Sequence, residues 1–477
     1  MFIPKGGVPK MYKEKILPAE EALAAIKKGS RVFMGSGCGE PQYLVDKLGE
    51  QVETLFDVEI IQVLSVRGSG LGTAERLGEH FSIKTFFIVG GSAREAVWAG
   101  RAEYTPIFMS QVPKLFSEKL LALDCALVQV SPPNAQGYMS LGIAVDVAHE
   151  AVAAADLVIA QVNPAMPVTL GNSFIHISDV DTIVEYEEPI LEVQDPDLTD
   201  TDRLIGVNAA GLVEDEATIH AGLGPLPKAA LQAMKDKKDL GVHTDMLTNS
   251  YLDLIRRGVI TNRKKEVNPN RIVASYCVGS KELFDFVHLN PFVEFQPISY
   301  TNDPFLMGQH GNMTTIHEAW EADLTGLVCA AGHGHKIHSG VGGLVDFMRG
   351  AYRSKKGKCI IAINAAGPDE RESRILPALT PGSAVMAGRA GTQYVVTQFG
   401  SANLHGKSLR ERAVALIEIA HPKFREELYN QALNEGLLSH GEPISLFKPV
   451  LYPQDLEKRV EIQGESLLFR PARASDL

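Results

Sequence analysis

RVFMGSGCGEPQYLVDKL (residues 31–48) and TIHAGLGPLPKAALQAM (residues 218–234) decide the reading of the fold. Each stretch reads as a strand, a Gly-x-Gly turn, a proline and a helix. The two glycine pairs begin at Gly35 and Gly222. A strand that enters a helix through a glycine turn is one step of an α/β sheet. Its recurrence predicts an α/β fold of two related open α/β domains with mostly parallel sheets. The first takes residues 1–210 and the second residues 211–477. The acidic, proline-bearing stretch EEPILEVQDPDLTDTD (residues 187–202) reads as a surface crossing between the copies.

The rest of the chain agrees with this reading. Short apolar, β-branched runs at residues 58–64, 83–89, 126–130, 157–162, 271–277, 359–363 and 394–397 predict buried strands. Helical patterns lie between them, at residues 19–28, 144–155 and 409–420. A chain of 477 residues exceeds what one core usually supports, about 250–300 residues, so two domains are expected on length alone.

Composition excludes several partner classes. The formal net charge is −12, which argues against nucleic acid. No uncharged apolar run is long enough to span a membrane, and residues 1–18 carry no apolar core of a secretory signal. The five cysteines include no C-x-x-C pair and are odd in number, which predicts reduced thiols in the cytoplasm.

Four features carry possible chemistry. The Gly-x-Gly turns present free N–H groups at a helix start, suited to a phosphate or a developing oxyanion. The plainer alternative is a tight turn that needs glycine for packing. The dinucleotide pattern is not met, because Glu40 and Pro227 stand where a third glycine would matter. The second feature is Ser339-Gly340-Val341-Gly342-Gly343, an amide row before the helical pattern LVDFMRGAY, which is either an anion cradle or a flexible loop. The third is LGVHTDMLTN (residues 240–249), which places Asp245 near the end of a strand, where α/β ligand sites gather. The last is GHGHKIH (residues 332–338). Its loop-like spacing and lack of cysteine favour a plain loop over a metal site.

Together these stretches resemble the acetyl-CoA hydrolase/transferase family, of the 4-hydroxybutyrate CoA-transferase type. The resemblance is clearest in SPPNAQGYMSLGIAVD (residues 131–146), PISYTNDP (297–304), EADLTGLV (321–328) and SGVGGLVDFMRGA (339–351). It implies two related domains with the active site between them. It also implies an acyl-CoA:carboxylate CoA-transferase, whose nucleophile is a carboxylate that attacks the thioester and becomes a mixed anhydride. The family's glutamate falls on Asp245. Its oxyanion amides fall on Leu223 with Gly224 and on Gly342 with Gly343, each worth roughly 3–4 kcal/mol in comparable sites. Gly222, Ser339, Gly340 and Val341 fall in the CoA-binding loops, and Asn312 falls on an asparagine that positions the reacting carboxylate.

The partners so implied are an acyl-CoA and a small carboxylate, or water, with no metal or permanently bound cofactor and with a homo-oligomeric assembly. Aspartate for glutamate withdraws the carboxylate by about 1.3–1.5 Å, and a misplacement near 1 Å can cost ~100-fold in rate. The gap suits a water, so an acyl-CoA hydrolase with Asp245 as general base is an alternative. A catalytically weak CoA-binding sensor or subunit is another.

Overall fold

The computed structural model describes residues 10–52, 54–66, 71, 80–89, 91–439, 458–462 and 465–469. The first sheet has seven strands. They are β1 (Arg31–Met34), β2 (Val58–Gln62), β3 (Phe81–Thr85), β4 (Ala102–Tyr104), β5 (Cys125–Val130), β6 (Val158–Val162) and β7 (Thr182–Glu185). Their order is β4-β3-β2-β1-β5-β6-β7, with every pair parallel. The second sheet contains β8 (Thr218–Ala221), β9 (Gly241–Val242), β10 (Met313–Glu318), β11 (Lys358–Ala362), β12 (Tyr394–Thr397) and β13 (Gly400–Asn403). Its order is β9-β8-β10-β11-β12-β13, parallel except for the closing β12–β13 pair.

Sequence pattern explains the strands. Every residue of β5, β6 and β8 is buried, as a parallel sheet covered on both faces requires. In both sheets the order reverses beside the strand that carries the glycine turn, β1 in one and β8 in the other. Such a reversal opens a crevice at the carboxyl ends of the strands, where ligands of open α/β sheets bind.

Helix α1 (Gln42–Glu50) follows the first glycine turn. Helix α2 (Asp200–Gly211) is closed at its start by a reciprocal Thr199–Asp202 cap. It packs on α3 (Pro225–Gln232), on β12 and on β13, so the 210/211 division falls at the end of a helix that lies on the second sheet. Helix α4 (Leu344–Arg353) follows the Gly-Val-Gly-Gly loop.

Two expected strands end differently. Residues 86–89 leave the sheet after β3, and Phe87, Ile88 and Val89 become cavity wall. Residues 271–277 form two short strands, Ile272–Ala274 and Tyr276–Val278, divided at Ser275. The division has a cause in hydrogen bonding. The amides of Ser275 and Tyr276 both donate to the Asp245 carbonyl, at 2.8 and 3.0 Å, so the chain turns there and the second strand pairs with Met246–Thr248.

Candidate active site

A cavity of about 280 Å³ lies at the reversal point of the second sheet, with walls from both halves of the chain. Leu64, Phe87 and Met109 come from the first half. The loops 222–224 and 339–343, together with Asp245, come from the second.

Asp245 sits where β9 ends and the strand Met246–Thr248 begins. Its carbonyl holds the split strand described above, which fixes the backbone and leaves the carboxyl facing the cavity. The side chain is 8% exposed. Burial is the largest influence on it and raises its pKa to about 6. Hydrogen bonds from Asn302 and the Met246 backbone oppose that shift, and the nearby Asp346 adds to it. Asn302 Nδ2 donates to Asp245 Oδ2 at 3.4 Å, and Asn302 Oδ1 accepts from Thr301 Oγ1 at 2.9 Å. Asp346, on α4, accepts the amide and hydroxyl of Ser110 at 2.9 and 2.8 Å, which ties the floor of the site to the first half.

The glycine loops approach from either side. A Cβ on Gly343 would collide with Asp245 Oδ2, so only glycine lets the loop lie against the carboxylate. Gly224 has φ 131°, and a Cβ there would meet Glu318 Oε2. The amides of Leu223, Gly224, Gly342 and Gly343 have no hydrogen-bond partner among the described residues. The Gly-Val-Gly-Gly loop is held by the first half, because Val341 N donates to Tyr104 Oη at 3.0 Å.

Gly222, Leu223, Gly224, Asp245, Ser339, Gly340, Val341, Gly342 and Gly343 therefore all line one cavity. Asn312 does not join them. It precedes β10, whose other end reaches the cavity at Glu318, six residues and about 20 Å away at strand spacing. Its side chain donates instead to Glu214 at 3.3 Å. The asparagine at the carboxylate is Asn302, which lies inside the stretch PISYTNDP.

Two histidines complete the floor. His220 stacks on Phe347, with ring centroids 3.6 Å apart, and bonds Thr244 Oγ1 at 2.9 Å. Burial holds it well below its ordinary pKa, so its 3.8 Å approach to Asp245 is not an ion pair. Burial likewise lowers His317 to about 3, and its Nε2 has no partner among the described residues. The histidines of residues 332–338 diverge. His333 bonds Glu321, while His338 lies between Trp98 and Trp320. Among the described residues no three His, Cys, Asp or Glu side chains gather as metal ligands would. No helix among them is long and apolar enough to cross a membrane.

Two open α/β units that meet over a buried carboxylate and free amides define an enzyme built to handle an activated acyl group. The chain belongs to the acetyl-CoA hydrolase/transferase family. The family's N-terminal domain matches residues 7–193 and its C-terminal domain residues 279–432. It is 47% identical over 421 residues to 4-hydroxybutyrate coenzyme A transferase of Clostridium kluyveri, covering 88% of this chain and 98% of that one. Among solved structures it resembles RipA from Yersinia pestis, at 33% identity and a TM-score of 0.84, over 90% of this chain and 99% of the other. It also resembles 4-hydroxybutyrate CoA-transferase from Porphyromonas gingivalis, at 35% identity and a TM-score of 0.77, over 89% and 99%. The protein is thus an enzyme acting on CoA thioesters.

Proposed function

We propose that the protein is an acyl-CoA:carboxylate CoA-transferase for short carboxylic acids, with Asp245 as the acyl-accepting carboxylate. The observation that carries this reading is the buried Asp245 carboxylate, held against Gly343 between two loops whose Leu223, Gly224, Gly342 and Gly343 amides have no partner among the described residues. In the forward step an Asp245 oxygen bonds to the thioester carbonyl carbon. The C–S bond then breaks, leaving a mixed anhydride and a CoA thiolate. The thiolate then attacks the Asp245 carbonyl carbon of the anhydride, which expels the first acid as its carboxylate and leaves an Asp245–CoA thioester. A second carboxylate attacks that thioester and leaves with CoA by the same steps in reverse. The amides of Leu223 with Gly224, and of Gly342 with Gly343, serve the oxyanion. Asn302 holds the carboxylate in place.

The same proposal has the enzyme work without a resident metal or redox cofactor, in the cytoplasm, and as a homo-oligomer. Its described cysteines, all free and buried, suit a reducing compartment.

The test is to incubate the protein with acyl-CoA alone and add hydroxylamine or borohydride. Mass spectrometry should place the label on Asp245. Asp245→Ala should lower transfer by at least about 1,000-fold, since neither loop supplies a nucleophile. Near-normal transfer by Asp245→Ala would sink the assignment. EDTA dialysis should leave the rate unchanged.

A further inference from the structure

The cavity holds a second carboxyl that transfer through Asp245 does not use. Glu318 ends β10, beside the glycine loop of β8, and lines the same cavity as Asp245. Its Oε2 accepts the amide of Leu226 at 3.2 Å, which fixes the side chain against Gly224. No lysine or arginine forms an ion pair with it among the described residues. The charged group acting on it is another acid, Asp202 of α2, and the neighbouring ring on its own strand is the buried, neutral His317. Burial first, and Asp202 after it, raise its pKa to about 7.

Of the other titratable groups lining the cavity, His338 is held between Trp98 and Trp320, and burial followed by the charge of Arg94 lowers its pKa. The rest are poor proton acceptors near neutrality. Burial holds His220 and His317 far below their ordinary range and puts Tyr276 well above its own. Arginine, here Arg94, does not act as a base in proteins. Asp245 is itself consumed once it carries the acyl group. Glu318 is the one described carboxyl left in the cavity to take a proton at that stage.

We propose that Glu318 is a second catalytic residue, the general base that activates water against the acyl-Asp245 anhydride and gives the enzyme a hydrolytic branch beside transfer. The inference rests on the acyl-Asp245 reading. A water O–H breaks and its proton passes to Glu318. The water oxygen bonds to the acyl carbonyl carbon, and the bond from that carbon to the Asp245 oxygen breaks. Asp245 leaves as a carboxylate and the free acid departs. Glu318 then returns its proton to the CoA thiolate, so the sum is acyl-CoA plus water to acid plus CoA thiol. Room for the water fits the shorter reach of aspartate at position 245.

Glu318→Gln keeps an oxygen for the Leu226 amide but cannot accept the proton. CoA release from acyl-CoA would be followed from pH 5 to 9, with acetate absent and present. General bases contribute roughly 100- to 10,000-fold. The variant should therefore lower the ratio of hydrolysis to transfer by about 100-fold, lose the inflection near neutral pH, and accumulate more hydroxylamine-trapped acyl-Asp245. Glu318→Asp should restore part of the inflection, and it also serves if Glu318→Gln melts early. An unchanged ratio and inflection in a variant of normal melting temperature overturn the assignment, as does a wild type with no measurable hydrolysis. Failure of the underlying reading looks different: wild-type enzyme would then give no trapped Asp245 adduct at all.

Discussion

The two Gly-x-Gly turns begin with the same pattern and end with different uses. At the first, the amides of Gly35, Gly37 and Gly39 donate to the carbonyls of Leu127, Leu64 and Ser36, and Gln129 reaches the carbonyls of Gly39 and Glu40. The turn is closed by packing. At the second, Gly222 donates to Ile316, but the amides of Leu223 and Gly224, residues that line the cavity, have no partner among the described residues. Both turns sit at the reversal point of their sheets, so position in the topology does not separate them. What separates them is the second glycine of each turn: the Gly37 amide is consumed by the Leu64 carbonyl, whereas that of Gly224 has no partner among the described residues. A crevice at a switch point is an opportunity for a ligand; in this chain the first half uses its opportunity for structure.

The largest test of this difference is Gly343→Ala, on the partner loop of the open turn. Gly343 has φ −82° and ψ −6°, which alanine adopts without strain. The added methyl would press on Asp245 Oδ2, with Phe347 and Asn302 at 3.1 and 3.2 Å behind it. The carboxylate must move, and displacement near 1 Å can cost ~100-fold. We expect kcat to fall by about 100-fold or more with a circular dichroism spectrum like that of the wild type. Unaltered kcat would mean that the carboxylate does not react where it stands.

The architecture was legible because the apolar runs and the repeated turn are local, periodic features. The strands β5, β6 and β8 fall within a residue or two of their expected limits. The ligand loops were legible too, since glycine clusters are written directly in the chain. Asn302 and Glu318 were harder. Asn302 reaches Asp245 across 57 residues of sequence. Nothing local tells its side chain from that of Asn312, which begins a strand whose far end forms the site. The role of Glu318 depends on burial and on Asp202, which no spacing reveals. The inertness of the first glycine turn was likewise invisible, because its partners Leu64 and Leu127 come from distant parts of the sequence, one just past β2 and the other in β5.

The next effect concerns stability and pH. Asp245 carries a pKa raised to about 6 by burial. For a carboxyl raised above its unfolded value, ionisation favours the unfolded chain. The associated stability is therefore full below about pH 4 and is lost as pH rises through 6. Holding the group from its ordinary value up to 6 corresponds to about 3 kcal/mol at pH 8. Asp245→Asn, neutral at every pH, should thus be more stable than wild type at pH 8 by up to that amount and no more stable at pH 4. Denaturant melts at the two values measure the difference. Wild-type transfer should meanwhile fall as pH drops through 6, because the nucleophile is the carboxylate. An equal stability gain at both pH values would show that packing, and not charge, sets the effect.

The smallest effect is expected at the closed turn. Gly39 has no positive φ, so alanine is allowed by its backbone. The obstacle is space: its Cβ would collide with the Cβ of Ala144, an atom fixed directly to the backbone before the helix Ala148–Ala154. Neither neighbour can rotate away, so the backbone has to shift, and such overpacking typically costs about 1–3 kcal/mol. Gly39→Ala should lower the unfolding free energy by that amount while kcat, measured per folded molecule, stays within about twofold. The two glycine substitutions then give opposite signatures, activity lost with the fold kept and stability lost with activity kept. If Gly39→Ala instead lowered kcat as Gly343→Ala does, the first turn would have to take part in the reaction despite its satisfied glycine amides, and the distinction by donor supply would fail.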